Sequence, residues 1–176
     1  MTKGKNTRPL KDRARESIFN LLLHSNKIFF NFKKANVLDL YAGTGSFGLE
    51  CLSREAASVC FVEKEKSALE VLGKNIEKLK IKKKTSTLAC DVLSLANRKN
   101  ILKLKYHLIF CDPPFKFNNA DTLIKFIYDK NLLQENGIVI IHLNKNTKEK
   151  LPENFKLIEE RIYGISKIIF GKILYW

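Results

Sequence analysis

"DLYAGTGSFG", residues 39–48, is the stretch on which the fold turns. It closes a short apolar run, "ANVLDLY" (35–41), and opens a helix-like segment, "FGLECLSRE" (47–55). Gly43, Gly45 and Gly48 form G-x-G-x-x-G between the two. Glycines there allow a tight turn and a close backbone approach to a ligand, although the same pattern also serves a simple packing turn. Strand-like and helix-like segments alternate onward from it. "SVCFVE" (58–63) reads as a second strand and "SALEVLGKNIEKLK" (67–80) as a helix. "STLAC" (86–90) is a third strand followed by a weaker helical stretch, and "YHLIFCD" (106–112) a fourth. A helix near 120–130 precedes a fifth strand, "GIVIIHL" (137–143).

"FKLIEERIYG" (155–164) and "SKIIFGKILYW" (166–176) lack the helix that a further βαβ unit requires, so they read as an antiparallel pair. Upstream, "DRARESIFNLLLHS" (12–25) carries apolar residues at helical spacing, with Asp12 suited to a helix N-terminus. The expectation is a Rossmann-like, doubly wound α/β domain over 1–176. It has a seven-stranded, mostly parallel sheet, an antiparallel C-terminal edge and an N-terminal helix.

No stretch approaches the roughly 20 apolar residues of a membrane helix. The N-terminus has positive charge but no apolar segment after it, so it does not read as a secretory signal. A cytoplasmic monomer without a metal site is expected. Cys51, Cys60, Cys90 and Cys111 sit in apolar patterns and read as reduced, packed thiols; Cys111 is weighed as a nucleophile only because Asp112 follows it. The formal charge of +14 suits a polyanion partner. Composition offers a second explanation, since Lys, Asn and Ile make up about a third of the chain.

In doubly wound sheets, ligands bind beyond the carboxyl ends of the strands. Four successive strands end there on or near an acid: Asp39, Glu63, Asp91 and Asp112. Glu63, about twenty residues after the glycines, suits the ribose hydroxyls of a nucleoside cofactor. NAD shares this fingerprint, but Asp39 would set negative charge near a pyrophosphate. S-adenosylmethionine carries a sulfonium and an amino group and no phosphate, and matches an acidic pocket better.

The fourth strand leaves through "LIFCDPPFKF" (108–117). An exocyclic amino group on a nucleobase is a poor nucleophile because its lone pair is delocalised. Asp112 and the Pro113 carbonyl can hold its N–H bonds, the two prolines stiffen the loop, and Phe115 can stack on a base taken out of its helix. A rigid turn with a buried ring is the bland alternative. Asp112, Pro113, Pro114 and Phe115 are therefore the candidate catalytic loop.

These motifs resemble a known family. "TRPLKDRARESIFNLL" (7–22), the stretch 37–79, "CDPPF" (111–115) and "RIYGISKIIF" (161–170) occur in the order found in RsmD-type bacterial small-subunit rRNA guanine-N2 methyltransferases. The resemblance implies methyl transfer from S-adenosylmethionine to a guanine N2 amino group in 16S rRNA, with the small ribosomal subunit as partner. It implies that Asp39, Gly43 and Gly45 lie on the methionine side, that Glu63 binds the ribose, and that Asp91 lies on the adenine side. Arg8, Pro9, Asp12, Arg15 and Glu16 match the family's N-terminal motif, from which Arg8 and Arg15, with Lys116 beside the loop, are candidate substrate contacts. Members usually carry a basic segment before "NTRP"; this chain starts almost on the motif, which bears on RNA affinity more than on chemistry. "KLKIKKKTS" (78–86) reads as a solvated helix end, His24, His107 and His142 as structural, and Trp176 as packed. An adenine-N6 methyltransferase, a non-catalytic assembly factor and a nicotinamide oxidoreductase remain the rivals.

Overall fold

A computed structural model describes residues 12–98, 102 and 104–176. Helix α1 (Asp12–His24) buries Ala14, Ile18, Phe19 and Leu22, the apolar stripe set by helical periodicity. There follow β1 (Asn36–Leu40), α2 (Ser46–Ser53), β2 (Ser58–Glu63), α3 (Lys66–Lys78), β3 (Thr85–Ala89) and β4 (Tyr106–Cys111). After these come α4 (Ala120–Asp129), β5 (Leu133–Asn144), β6 (Phe155–Tyr163) and β7 (Ser166–Ile173). The weak helical stretch after β3 is a short 3₁₀ turn, Leu93–Asn97.

One seven-stranded sheet has the order β3-β2-β1-β4-β5-β7-β6. The pairs among β1 to β5 are parallel, and β7 pairs antiparallel with both β5 and β6. The expected antiparallel pair is present, with a refinement in its order: the later strand, β7, is the inner one. Burial explains this. The stretch "SKIIFGKI" is buried almost throughout, whereas β6 exposes residues along its length and can tolerate an edge.

The inner strands β1, β2 and β4 are near-continuous apolar runs because both faces are covered. Alternation sends Leu38, Leu40 and Ile109 into one core layer and Val37, Phe61 and Phe110 into the other. In the second layer Phe47 of α2 stacks on Phe110 at 3.9 Å and on Phe19 of α1 at 5.1 Å. This column ties α1 and α2 to β4, the strand that runs into residues 112–117.

Gly48 shows why that loop ends in glycine. A Cβ there would stand 2.5 Å from Phe61 Cε1 and 2.7 Å from Val59 Cγ1, both inside the packed layer. Gly48→Ala is expected to destabilise the fold by about 1–3 kcal/mol, the usual cost of an overpacked core position. Denaturant unfolding measures this, and an unchanged midpoint would contradict the packing role.

Candidate active site

The order of the strands reverses between β1 and β4, whose neighbours lie on opposite sides of the sheet. A crevice at the carboxyl ends of such a pair is where doubly wound sheets hold ligands. The loop after β1 forms one wall. Gly43 and Gly45 have φ of 56° and 85°, in the left-handed region that glycine enters at little cost. Tyr41, at φ 61°, adopts the same region without that freedom, a strained conformation of the kind that clusters at functional loops. Ala42 N–H donates to the Val62 carbonyl and Gly45 N–H to the Ala42 carbonyl, which closes the turn against β2.

Glu63 ends β2 and is buried to within 7% exposure. Its Oε2 accepts the Gly43 N–H at 2.8 Å, and its Oε1 accepts the N–H groups of Lys64 and Glu65, each at 2.8 Å. Three backbone donors thus fix one carboxylate against the glycine loop. A Cβ on Gly43 would meet nothing within 4 Å, so the loop backbone there faces open space. Gly45 differs: a Cβ would stand 2.4 Å from Leu72 Cδ1, so this glycine is needed for packing on α3 as well as for its backbone angle.

Asp39 lies beneath the loop. Alternation puts it on the same face of β1 as Val37, under α2, where it is 1% exposed and accepts the Gly48 N–H at 3.0 Å. Burial pushes its carboxyl well above the ordinary value of 3.8; the Gly48 N–H opposes this, and the charges of Asp112 and Glu63 add to it. A raised carboxyl holds its proton more tightly in the folded state. Its contribution to stability is therefore full below 3.8 and is lost as pH rises through the folded value. Asp39→Asn keeps an acceptor for Gly48 and removes the buried charge. It is expected to stabilise the protein at neutral pH, with a gain that shrinks to nothing as pH falls below 3.8. Urea unfolding of both proteins across pH checks this, and a gain independent of pH would contradict it.

The opposite wall is the loop after β4. Asp112 N–H donates to the Leu40 carbonyl at 3.2 Å, which continues the β1–β4 ladder by one residue and anchors the start of the loop. Pro113 is buried, Pro114 exposed and Phe115 half-buried. The Phe117 N–H closes the turn on the Pro114 carbonyl at 2.7 Å. Asp112 Oδ1 lies 2.7 Å from Nδ1 of His142, and the Phe115 ring meets the same imidazole edge-on with centroids 5.5 Å apart. Cys111 is fully buried, and burial followed by the charges of Asp39 and Asp112 pushes its thiol far up, so a thiolate nucleophile there is disfavoured.

A family model described as Conserved hypothetical protein 95 matches residues 1–172. The chain belongs to this family, the RsmD type. It is 32% identical over 165 residues to the ribosomal RNA small subunit methyltransferase D of Haemophilus influenzae, covering 90% of this chain and 79% of that one. With the protein of the same name in Escherichia coli K12 it shares 28% identity, covering 89% and 75% of the two chains. Among solved structures, a conserved hypothetical protein of Streptococcus pyogenes is 28% identical, with a TM-score of 0.77 and coverage of 92% and 95%. An Escherichia coli structure provisionally assigned as a methyltransferase reaches a TM-score of 0.81 at 26% identity, covering 96% and 89%.

The structure gathers the RsmD-type candidates unevenly. Gly43, Gly45 and Glu63 converge on the crevice from the ends of β1 and β2, with Asp39 buried beneath them, and Asp112 to Phe115 face them from β4. Asp91 follows β3 at the rim, where its Oδ2 pairs with Lys64 at 3.1 Å and its Oδ1 accepts the Leu93 N–H at 2.9 Å. Although burial opposes it, the Lys64 ammonium and the Leu93 and Ser94 amides hold this carboxyl below its ordinary range. Lys116 is exposed beside the loop. Arg15 is engaged inside the fold, pairing with Asp12 at 2.8 Å and with Glu50 of α2 at 3.3 Å, so it joins two helices. Arg8 and Pro9 lie outside the described residues. Sequence reasoning missed Tyr41 and the placement of His142. The available signal for His142 was register: Phe110 pairs with Ile140 and Cys111 with Ile141, which leaves Asp112 beside His142.

Proposed function

We propose that this chain transfers a methyl group from S-adenosylmethionine to the N2 amino group of a guanine in 16S rRNA, acting as a monomer on the assembled small subunit. Methylation of small-subunit rRNA is what the names of its RsmD relatives state. The cofactor supplies an electrophilic methyl group carried on a sulfonium. The residues present fit it. Glu63, held by three backbone donors and paired with no described cation, would take the ribose hydroxyls. The open backbone at Gly43, with Gly45 shaping the turn, would take the methionine portion, and Asp91 would lie on the adenine side. Asp39 acts from beneath by accepting the Gly48 N–H. Burial raises the Asp39 carboxyl and the nearby charges of Asp112 and Glu63 add to it, which marks the two acids at the crevice as a local negative field. Such a field favours a cationic ligand over a pyrophosphate, which supports S-adenosylmethionine over a nicotinamide dinucleotide.

The observation that carries the reading is Asp112. It stands where the β1–β4 ladder ends, on a loop stiffened by two prolines, with one carboxylate oxygen engaged by His142 and the other, Oδ2, without a partner among the described residues. A fixed acceptor of that kind suits an amino N–H, and the Pro113 carbonyl would accept the second. Phe115 would stack on the base, and Lys116, with Arg8, would meet phosphates. Action on rRNA fits the cytoplasm, and no helix among the described residues is long and apolar enough to cross a membrane.

The test is transfer of labelled methyl groups to unmodified small subunits, to deproteinised rRNA and to DNA, followed by nucleoside analysis. N2-methylguanosine formed on subunits is the expected product. N6-methyladenosine would replace the guanine reading with the adenine one, and absence of label despite measured cofactor binding would favour a non-catalytic role.

A further inference from the structure

His142 lies two residues before the end of β5, buried to 4% exposure and in reach of two residues of the catalytic loop. Its Nδ1 faces Asp112 Oδ1 at 2.7 Å, while its Nε2 is buried and has no hydrogen-bond partner among the described residues. A carboxylate only accepts, so the proton of that contact belongs on Nδ1. Placing a second proton on Nε2 would bury an unpaired N–H that shares the ring's positive charge; leaving Nε2 bare strands only a lone pair. A carboxylate at Nδ1 and a buried, unpartnered Nε2 both suit the Nδ1–H tautomer of the ring.

We propose that His142 is a positioning residue of the methyl-transfer site. This rests on the function proposed above. As the Nδ1–H tautomer it holds Oδ1 of Asp112 without neutralising the carboxylate, and turns Oδ2 toward the substrate amino group. Through its edge-on contact it also sets the tilt of Phe115. One imidazole therefore aligns both the acceptor and the stacking ring before the base arrives. The ring takes no proton from the substrate and forms no bond in the reaction.

The first readout is nitrogen-15 NMR of the histidine rings in the wild-type protein at neutral pH. His107 supplies an internal reference, because its Nδ1 accepts the Asn36 N–H at 3.1 Å and so must be bare. His142, assigned by loss of its signals in His142→Asn, is expected to show the reverse pattern, Nδ1 protonated and Nε2 bare. An Nε2–H tautomer or an imidazolium would overturn the proposal, whatever the substrate proves to be. The second readout is kinetic, on unmodified small subunits. His142→Leu is expected to lower kcat by about ten- to a hundredfold, with KM for subunits and cofactor Kd within about threefold of wild type. His142→Asn, whose side-chain N–H occupies the position of Nδ1–H, should recover most of that loss. Equal kcat in the two variants would reduce His142 to a space-filling side chain. Should His142→Leu fail to fold, the NMR pattern and the kcat of His142→Asn still decide the matter. A wild-type protein that methylates no RNA, yet shows the expected tautomer, would sink the functional reading and leave the Asp112–His142 arrangement standing.

Discussion

Asp112→Ala is expected to lower kcat for methyl transfer by about a hundredfold or more, equivalent to about 3 kcal/mol of lost transition-state stabilisation. The substrate nitrogen becomes cationic as it accepts the methyl group. The Asp112 carboxylate is the group placed to favour that charge, and the two prolines after it leave little freedom for another acceptor to swing in. Its side chain has 21% exposure and shares no hydrogen bond with the glycine loop, so cofactor affinity should be unchanged. Single-turnover transfer and calorimetric titration of S-adenosylhomocysteine read the two effects separately. Turnover within a few-fold of wild type would show that the assigned role is wrong. Asp112→Asn is the informative companion: it keeps the shape but can turn an amide N–H toward either His142 or the substrate, so it should be nearly as slow.

Glu63→Gln has the second large effect, on binding. The carboxylate accepts three backbone N–H groups with two oxygens, and an amide has only one oxygen to offer. In one orientation the new NH2 group meets the Gly43 N–H; in the other it meets those of Lys64 and Glu65. Either way a buried donor faces a donor, at a cost of about 1–3 kcal/mol to the fold. With Glu63 as the proposed acceptor for the ribose hydroxyls, loss of its charge is expected to add about 1.5–3 kcal/mol to the binding free energy, a weakening of about tenfold or more. Titration with cofactor and thermal unfolding would show both. Wild-type affinity in this variant would remove Glu63 from the cofactor site.

Much of this site was legible because it depends on strand ends. A glycine loop after an apolar run, an acid after the next and Asp-Pro-Pro-Phe after the fourth are local patterns, and the parallel order of β1, β2 and β4 brings them together. What was not legible depends on registers and faces. Asp39 reads as a pocket acid until the alternation with Val37 is followed, which turns it under α2. His142 reads as one more apolar-strand histidine, because nothing local fixes β5 against β4; their pairing shifts between Tyr106 and Leu108 before settling into the register that sets 142 beside 112. Arg15 reads as a candidate substrate contact, because one of its partners, Glu50, is distant in sequence, although the other, Asp12, is only three residues away. The position of β7 was within reach, for the contrast between "SKIIFGKI" and the charged "FKLIEERIY" distinguishes an inner strand from an edge.

That inner position of β7 has a consequence for how the chain reaches its native state. β5 and β6 are made before the strand that separates them, and α1, near the other end of the chain, is joined to this region through the Ser17 and Tyr163 hydroxyls. Until residues 166–173 arrive, the apolar run Ile138–Leu143 has an unpaired ladder on one side. Such an edge is a template for pairing with another chain. Closure joins segments far apart in sequence, a topology associated with slow folding. The nascent protein is thus most exposed to aggregation at the stage when nearly all of its candidate site residues have already been synthesised.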